Sequence, residues 1–254
     1  MSYDSFSLEL AKKLALQAGE VILEIYLRND PRVEHKADNS PLTDADLAAN
    51  EIIVKGLSSE SKCPVVTEES QVAWEIRKNW KRFWLVDPLD GTKDFLARVG
   101  GFTVNIALIE NNSPILGVVY APKEELLYWA HSGEGAFCND KLIVNTSKRT
   151  DLIAADSVFH STKATQDFLA KHGISKVVKF GSALKICKLA EGEVDLYPRL
   201  NGTCEWDTAA AHIIALEANC KLIDIKTNQN LSYNKKTFLN NHFIASRNDL
   251  DFMR

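Results

Sequence analysis

The sequence predicts an α+β fold made of two packed halves. Three observations carry this: two stretches of helical apolar spacing near the N-terminus, a run of short strand-like segments through the middle, and alternating strand and helix signals beyond residue 151. Leu8, Ala11, Leu14, Ala15, Ala18, Ile22, Ile25 and Tyr26 recur at helical spacing from Ser7, the expected cap, to about Arg28. Asn29-Asp30-Pro31 ends that helix, and Val33 to Ala37 reads as a short strand before the polar turn Asp38-Asn39-Ser40-Pro41.

Thr43-Asp44-Ala45-Asp46 opens a second helix to about Leu57, with Leu47, Ile52, Ile53 and Leu57 expected to face inward. Its first-turn acids complement the helix dipole, an ordinary use for Asp44 and Asp46 that leaves a functional use open. Pro64 to Thr67 reads as a strand ending in Glu68-Glu69. Phe102–Ile109, Ile115–Tyr120 and Leu126–Ala130 then form an antiparallel meander, and Gly133 to Phe137 a further hairpin.

The pattern changes around Ser147 to Asp151, which divides the chain into residues 1–147 and 148–254. In the second half, Leu152–Ala155, Lys176–Phe180 and Val194–Tyr197 read as strands. Gln166–His172, Ala183–Ala190 and Ala209–Ala218 read as helices.

With 254 residues the chain buries a large core, and its net charge of −4 provides no broad basic field for nucleic acid. A local basic pocket for a small anion stays open. No apolar run is long enough to span a membrane, and Asp4 and Glu9 interrupt the N-terminus, so no secretory signal is expected. Five widely spaced cysteines, with no CxxC pair, point to a reducing, cytoplasmic setting and to no structural zinc site.

The chemistry concentrates in Phe83-Trp84-Leu85-Val86-Asp87-Pro88-Leu89-Asp90-Gly91-Thr92-Lys93-Asp94. Four apolar residues form a buried strand, and Pro88 and Gly91 turn the backbone where two carboxylates appear. Asp87 and Asp90 diverge if the strand runs on, whereas a turn brings them together. Like charges at that range call for a counter-ion, and a hard divalent cation such as Mg²⁺ suits carboxylates and backbone carbonyls. Gly91 and Thr92 open a helix whose amides face an anion.

A solvated Asp/Gly/Pro turn is the plain alternative. A helix-loop-helix calcium site fails, because the twelfth position from Asp87 is Arg98 and not Glu. A dehalogenase-type phosphatase spaces its aspartates by two, against three here. Downstream, Gly181-Ser182-Ala183-Leu184-Lys185 sits where a strand feeds a helix, with Ser182 and Lys185 on one face, as a cap and a solvated charge or as an anion site.

Asp87-Pro88-Leu89-Asp90-Gly91-Thr92, preceded by Thr67-Glu68-Glu69-Ser70 and followed by Trp206-Asp207-Thr208-Ala209-Ala210, resembles the inositol monophosphatase superfamily of metal-dependent, lithium-sensitive phosphatases. Gly181 to Cys187, Leu189-Ala190-Glu191-Gly192 and Leu196-Tyr197-Pro198-Arg199 resemble its bacterial 3′(2′),5′-bisphosphate nucleotidase branch, associated with sulfate assimilation. The resemblance spans roughly residues 5–247.

The resemblance implies αβαβα layering with the cation cluster between the halves. It implies Glu68, Asp87, the Leu89 carbonyl, Asp90 and Asp207 as ligands of two or three Mg²⁺ ions. Asp46 and Thr92, with Glu68, orient and deprotonate a water that attacks phosphorus directly, without a phosphoenzyme. Ser182, Lys185, Arg199 and His160 hold the nucleotide and its second phosphate, beside Gly91 and the ligand residues at the reacting phosphate.

The implied reaction releases AMP and phosphate from 3′-phosphoadenosine 5′-phosphate, and by extension converts the 5′-phosphosulfate analogue. An inositol or sugar phosphatase of the superfamily and a non-catalytic nucleotide sensor are the alternatives. The expected location is the cytoplasm, with peripheral association at the inner face of the cell membrane.

Overall fold

The structure is a computed structural model and describes residues 3–28, 32–35 and 41–252. In order, the first half comprises α1 (Tyr3–Arg28), β1 (Val33–His35), β2 (Pro41–Thr43), α2 (Asp44–Glu60), β3 (Val65–Thr67), α3 (Trp74–Arg77), β4 (Arg82–Asp90) and α4 (Thr92–Leu96). The strands β5 (Thr103–Glu110), β6 (Ser113–Ala121), β7 (Leu126–His131), β8 (Gly135–Cys138) and β9 (Lys141–Ile143) follow. The second half comprises β10 (Ile153–Ser157), α5 (Lys163–Lys171), β11 (Lys176–Phe180), α6 (Leu184–Ala190), β12 (Leu196–Arg199), α7 (Glu205–Glu217), β13 (Cys220–Asp224), β14 (Gln229–Asn230) and β15 (Phe243–Arg247).

Strands β3 to β9 form one sheet in chain order, parallel only between β3 and β4 and otherwise the expected meander. Side-chain alternation splits this sheet into two apolar faces. Trp84, Val86, Val104, Ile106 and Val118 pack under α1 and α2, while Phe83, Leu85, Ala107, Ile109 and Val119 pack on α6 and α7.

The second sheet, β11-β10-β12-β15-β13-β14, covers the far side of α6 and α7 through Ala155, Tyr197, Leu222 and Phe243. Its outer face takes α5, through Ala154, Leu169 and Leu196. The layers are therefore αβαβα, as expected. Each fully buried Leu, Val or Phe contributes about 1.5–3 kcal/mol, so both sheet faces are held by hydrophobic burial.

Helix α7 crosses the first sheet closely. A Cβ on Gly117 of β6 would lie 2.3 Å from the Ala210 carbonyl oxygen, so only glycine admits this contact.

Several local expectations change. Ser7 lies buried inside α1, which already begins at Tyr3, so it is not the cap. Leu47 faces outward at 49% exposure; Ala45 and Ala49, which lie in phase with Ile53 and Leu57, fill the inner face instead. Strands β13 and β15 have no counterpart in the sequence reading. The segments Asn29-Asp30-Pro31 and Asp38-Asn39-Ser40 lie outside the described residues, as do Lys36 and Ala37 of the expected first strand.

Candidate active site

Strand β4 does not stop at its first acid: it runs to Asp90, paired to β5 up to Asp87 and again at Asp90. The register pairs Asp87 with Asn105 and Asp90 with Thr103, so three residues of β4 advance against two of β5. This one-residue bulge shifts the side-chain alternation and returns both acids to the same side. The sequence reading expected a turn to do this, and a bulge at Pro88-Leu89 does it instead. The turn follows at Gly91, whose φ of +91° favours glycine.

Asp207 arrives from the other half as the third residue of α7. One of its oxygens accepts the Cys204 amide at 2.8 Å, closing the helix N-terminus. The cap reading therefore holds, and the same carboxylate also belongs to an acidic cluster able to hold a metal ion. One oxygen from each of Asp87, Asp90 and Asp207 lies within 4.8 Å of the others.

Strand β3 delivers Glu68 beside β4, its amide donating to the Val86 carbonyl at 3.1 Å. Glu68 lies outside this tight trio, yet it lines the same cleft and is the acid that acts most strongly on Asp87. The Leu89 backbone lines the cleft too, and its amide donates to Asp87 at 3.1 Å. Burial, then Glu68, Asp90 and Asp207, push the Asp87 carboxyl well above the usual carboxylate range. Burial and Asp90 do the same to Asp207.

Buried acids that resist ionisation together form a site in need of positive charge. Their hard oxygen donors fit a divalent cation of the Mg²⁺ type. Asn105 donates to Asp90 at 3.3 Å and fixes one of its oxygens. Asn105 goes unrecognised in the sequence, and Thr43 is read there only as part of the opening of the second helix. Asn105 was detectable as a polar residue inside an apolar strand.

Asp46 closes α2 as the third residue of a capping box. Its Oδ2 accepts from the Thr43 amide at 2.8 Å and hydroxyl at 2.5 Å. That leaves Oδ1 to accept from the Thr92 hydroxyl at 3.3 Å. Burial above all raises the Asp46 pKa to about 6, against the hydrogen bonds from Thr43. Thr92 stands on α4, which is anchored by rings: Phe95 lies 5.3 Å from both Tyr26 and Phe102.

The opposite wall of the cleft is cationic. Lys185, on α6, is 5% exposed, and burial lowers its pKa to about 8 against the pull of Asp90. Arg199, on β12, donates to the Gly202 carbonyl at 3.0 Å, while its buried Nε has no protein partner among the described residues. His160 stands exposed on the rim of the cleft. Partial burial of its ring and the cations Lys93, Arg199 and Lys185 push it down to about 4, so it stays neutral at physiological pH.

Ser182 departs from expectation. With φ of +44° it precedes α6, shares no helix face with Lys185 and caps no amide of that helix. Its hydroxyl donates instead to the Asp90 carbonyl at 2.7 Å. Glu68, Asp87, Leu89, Asp90, Thr92 and Asp207 line one cleft of about 300 Å³ together with His160, Ser182, Lys185 and Arg199, whereas Thr43, Asp46 and Asn105 stand behind its wall.

Residues 5–251 match the inositol monophosphatase family. The chain belongs to that family of metal-dependent phosphatases, and its trio of aspartates lines the cleft. Within the family it is similar to the 3′(2′),5′-bisphosphate nucleotidase CysQ of Salmonella typhimurium, 41% identical over 241 residues, which are 93% of this chain and 98% of that protein. CysQ of Buchnera aphidicola is 42% identical over 242 residues, 92% of this chain and 91% of that one.

Among solved structures, CysQ of Bacteroides thetaiotaomicron superposes with a TM-score of 0.87 at 40% identity, covering 98% of this chain and 99% of that one. A Thermotoga maritima IMPase superposes at 0.82 with 25% identity, covering 95% and 92%. No helix among the described residues is long and apolar enough to cross a membrane.

Proposed function

We propose that this protein is a Mg²⁺-dependent 3′(2′),5′-bisphosphate nucleotidase that releases AMP and phosphate from 3′-phosphoadenosine 5′-phosphate. One observation carries this reading. A trio of carboxylates, Asp87 buried and Asp90 and Asp207 half-buried, with oxygens within 4.8 Å of one another, shares a cleft with Lys185 and Arg199, so cation and anion sites adjoin.

Asp87, Asp90 and Asp207, with the Leu89 carbonyl and Glu68, are the residues to hold two or three Mg²⁺ ions. Bound there, the cations supply charge compensation for the phosphoryl group and acidify the attacking water. The chain's own residues manage the proton. Thr92 gives its hydroxyl hydrogen to Asp46, which leaves a lone pair to accept from water. As water attacks, its proton passes to Thr92 and the Thr92 proton passes to Asp46, whose pKa near 6 suits a base at neutral pH. Glu68, one residue past β3, orients the same water.

Arg199 and Lys185 receive the second phosphate, the former with a planar fork that suits its oxygens. His160 meets the nucleoside at the rim as a neutral ring. Ser182 acts by holding the Asp90 turn. An inositol phosphate has no second phosphate for this basic wall.

We read the chain as two halves meeting near residue 147, between β9 and β10, and packed as layers through α7. A cytoplasmic location agrees with five cysteines that form no disulfide among the described residues. Peripheral association with the membrane remains part of the proposal. Phosphate release from adenosine 3′,5′-bisphosphate and from inositol 1-phosphate, each with Mg²⁺, tests the function. A protein inactive on both refutes it, and preference for the inositol ester overturns the substrate assignment.

A further inference from the structure

Asp94 lies on α4, four residues after Asp90, and only 5% of it is exposed. Burying a carboxylate without a partner is costly, and Oδ1 of Asp94 is buried with no hydrogen-bond partner among the described residues. Space is reserved for it. A Cβ on Gly181 would come within 2.8 Å of that oxygen, and one on Gly91 within 3.3 Å of Oδ2. The carboxylate therefore sits between the two turns that meet in the cleft, and it lines the cleft itself.

Lys185 lines the same cleft, and it is the cation that acts most strongly on Asp94. Its ammonium group donates to the Phe180 carbonyl at 3.3 Å, which leaves two of its three N–H groups for other partners. Asp90, Asp94 and Asp156 are the carboxylates that favour its charge, against Arg199. Asp90 belongs to the aspartate trio, so its charge is committed whenever a cation is held there. Asp94 lies outside the trio and remains available.

We infer that Asp94 is a positioning residue: it supplies the counter-charge that keeps the Lys185 ammonium in place to receive the second phosphate of a bisphosphate nucleotide. The inference rests on the proposed nucleotide reading and deepens it. Asp94 touches no reacting atom. It sets selectivity through Lys185.

A double-mutant cycle tests this, using Asp94→Asn, Lys185→Gln and the double variant on adenosine 3′,5′-bisphosphate and adenosine 3′-monophosphate. Asp94→Asn should raise KM for the bisphosphate about tenfold relative to the monophosphate, with little change in kcat. In the Lys185→Gln background the second substitution should add nothing, and Asp94→Glu should restore affinity. Calorimetric titration with AMP, which carries only the 5′-phosphate, reads the same subsite without turnover and should show the same loss.

Equal losses on both substrates, or additive losses in the double variant, would mean that Asp94 merely supports α4 and would overturn the inference. An unmodified protein that treats the two substrates alike would instead overturn the bisphosphate reading, and this inference with it.

Discussion

The Ser182 hydroxyl donates to the Asp90 carbonyl at 2.7 Å, joining the turn that ends β4 to the turn that precedes α6. A Cβ on Gly91 would lie 2.2 Å from that hydroxyl oxygen, so the two turns are in contact and each limits the other. Five predictions follow from this and the neighbouring geometry.

Ser182 holds a left-handed φ of +44° while making that bond. Ser182→Ala keeps the unfavourable backbone and loses the hydroxyl, at a cost of about 1 kcal/mol for the bond. Ser182→Gly also loses the hydroxyl but relieves a backbone cost of about 1–2 kcal/mol. Urea unfolding should therefore rank the alanine variant below the glycine variant, and both should lose kcat/KM as the Asp90 turn loosens. The reverse stability order would contradict this account of the turn.

Asp46 has a folded pKa of about 6 against its ordinary 3.8, so it is protonated and unable to accept a proton below that range. The kcat/KM profile should rise with pH along a limb at or below pH 6, because nearby bound cations favour the ionised form. Asp46→Asn should lower kcat by about 10²–10⁴-fold and remove the limb. In metal-free protein the folded state binds this proton more tightly than the unfolded chain. Stability should accordingly fall as pH rises from about 4 to 6.

Asp87 and Asp207 resist ionisation in a fold that supplies them too little positive charge. Mg²⁺ should raise Tm by binding only the native state, and a chelator should reverse the shift. Asp87→Asn should abolish both the shift and turnover. Calorimetry that found Mg²⁺ binding undiminished in Asp87→Asn would contradict the ligand assignment.

The Arg199 Nε is buried without a protein partner among the described residues, in a guanidinium on the cationic wall of the cleft. Arg199→Ala should lower kcat/KM on adenosine 3′,5′-bisphosphate by about 10-fold or more, given charge-assisted hydrogen bonds of roughly 1.5–3 kcal/mol. Activity on inositol 1-phosphate should change much less. Matching losses would remove Arg199 from the second-phosphate subsite.

Gly117 lies where α7 crosses β6, and an added Cβ would meet the Ala210 carbonyl oxygen at 2.3 Å. Backbone cannot yield as a side chain does, so Gly117→Ala should cost about 1–3 kcal/mol in chemical denaturation. Since α7 also carries Asp207, Mg²⁺ affinity should weaken in the same variant.

Much of this was legible in the sequence because it lay in local patterns. The Asp87–Thr92 stretch, the strand ending at Glu68 and the apolar helix after Asp207 each declare themselves within about a dozen residues. The bulge between Asp87 and Asp90 was not legible, because a bulge depends on the register of β5, which only pairing defines. The direction of Ser182 was hidden for a related reason: its bonding partner is a carbonyl 92 positions away. Strands β13 and β15 escaped because each is five residues long, and only two residues separate β13 from the end of the apolar helix α7. Asp94 stood inside the most informative stretch, yet its role depends on Lys185, which sequence distance concealed.

Helix α7 brings Asp207 to a cluster whose other members all lie before residue 91. During synthesis on the ribosome, a nascent chain that has exposed only its first seven strands or so displays acids without their last companion. Under the proposed ligand set, competence to capture a cation thus arrives late, once both sheets have docked, and a partly made chain is spared premature chemistry.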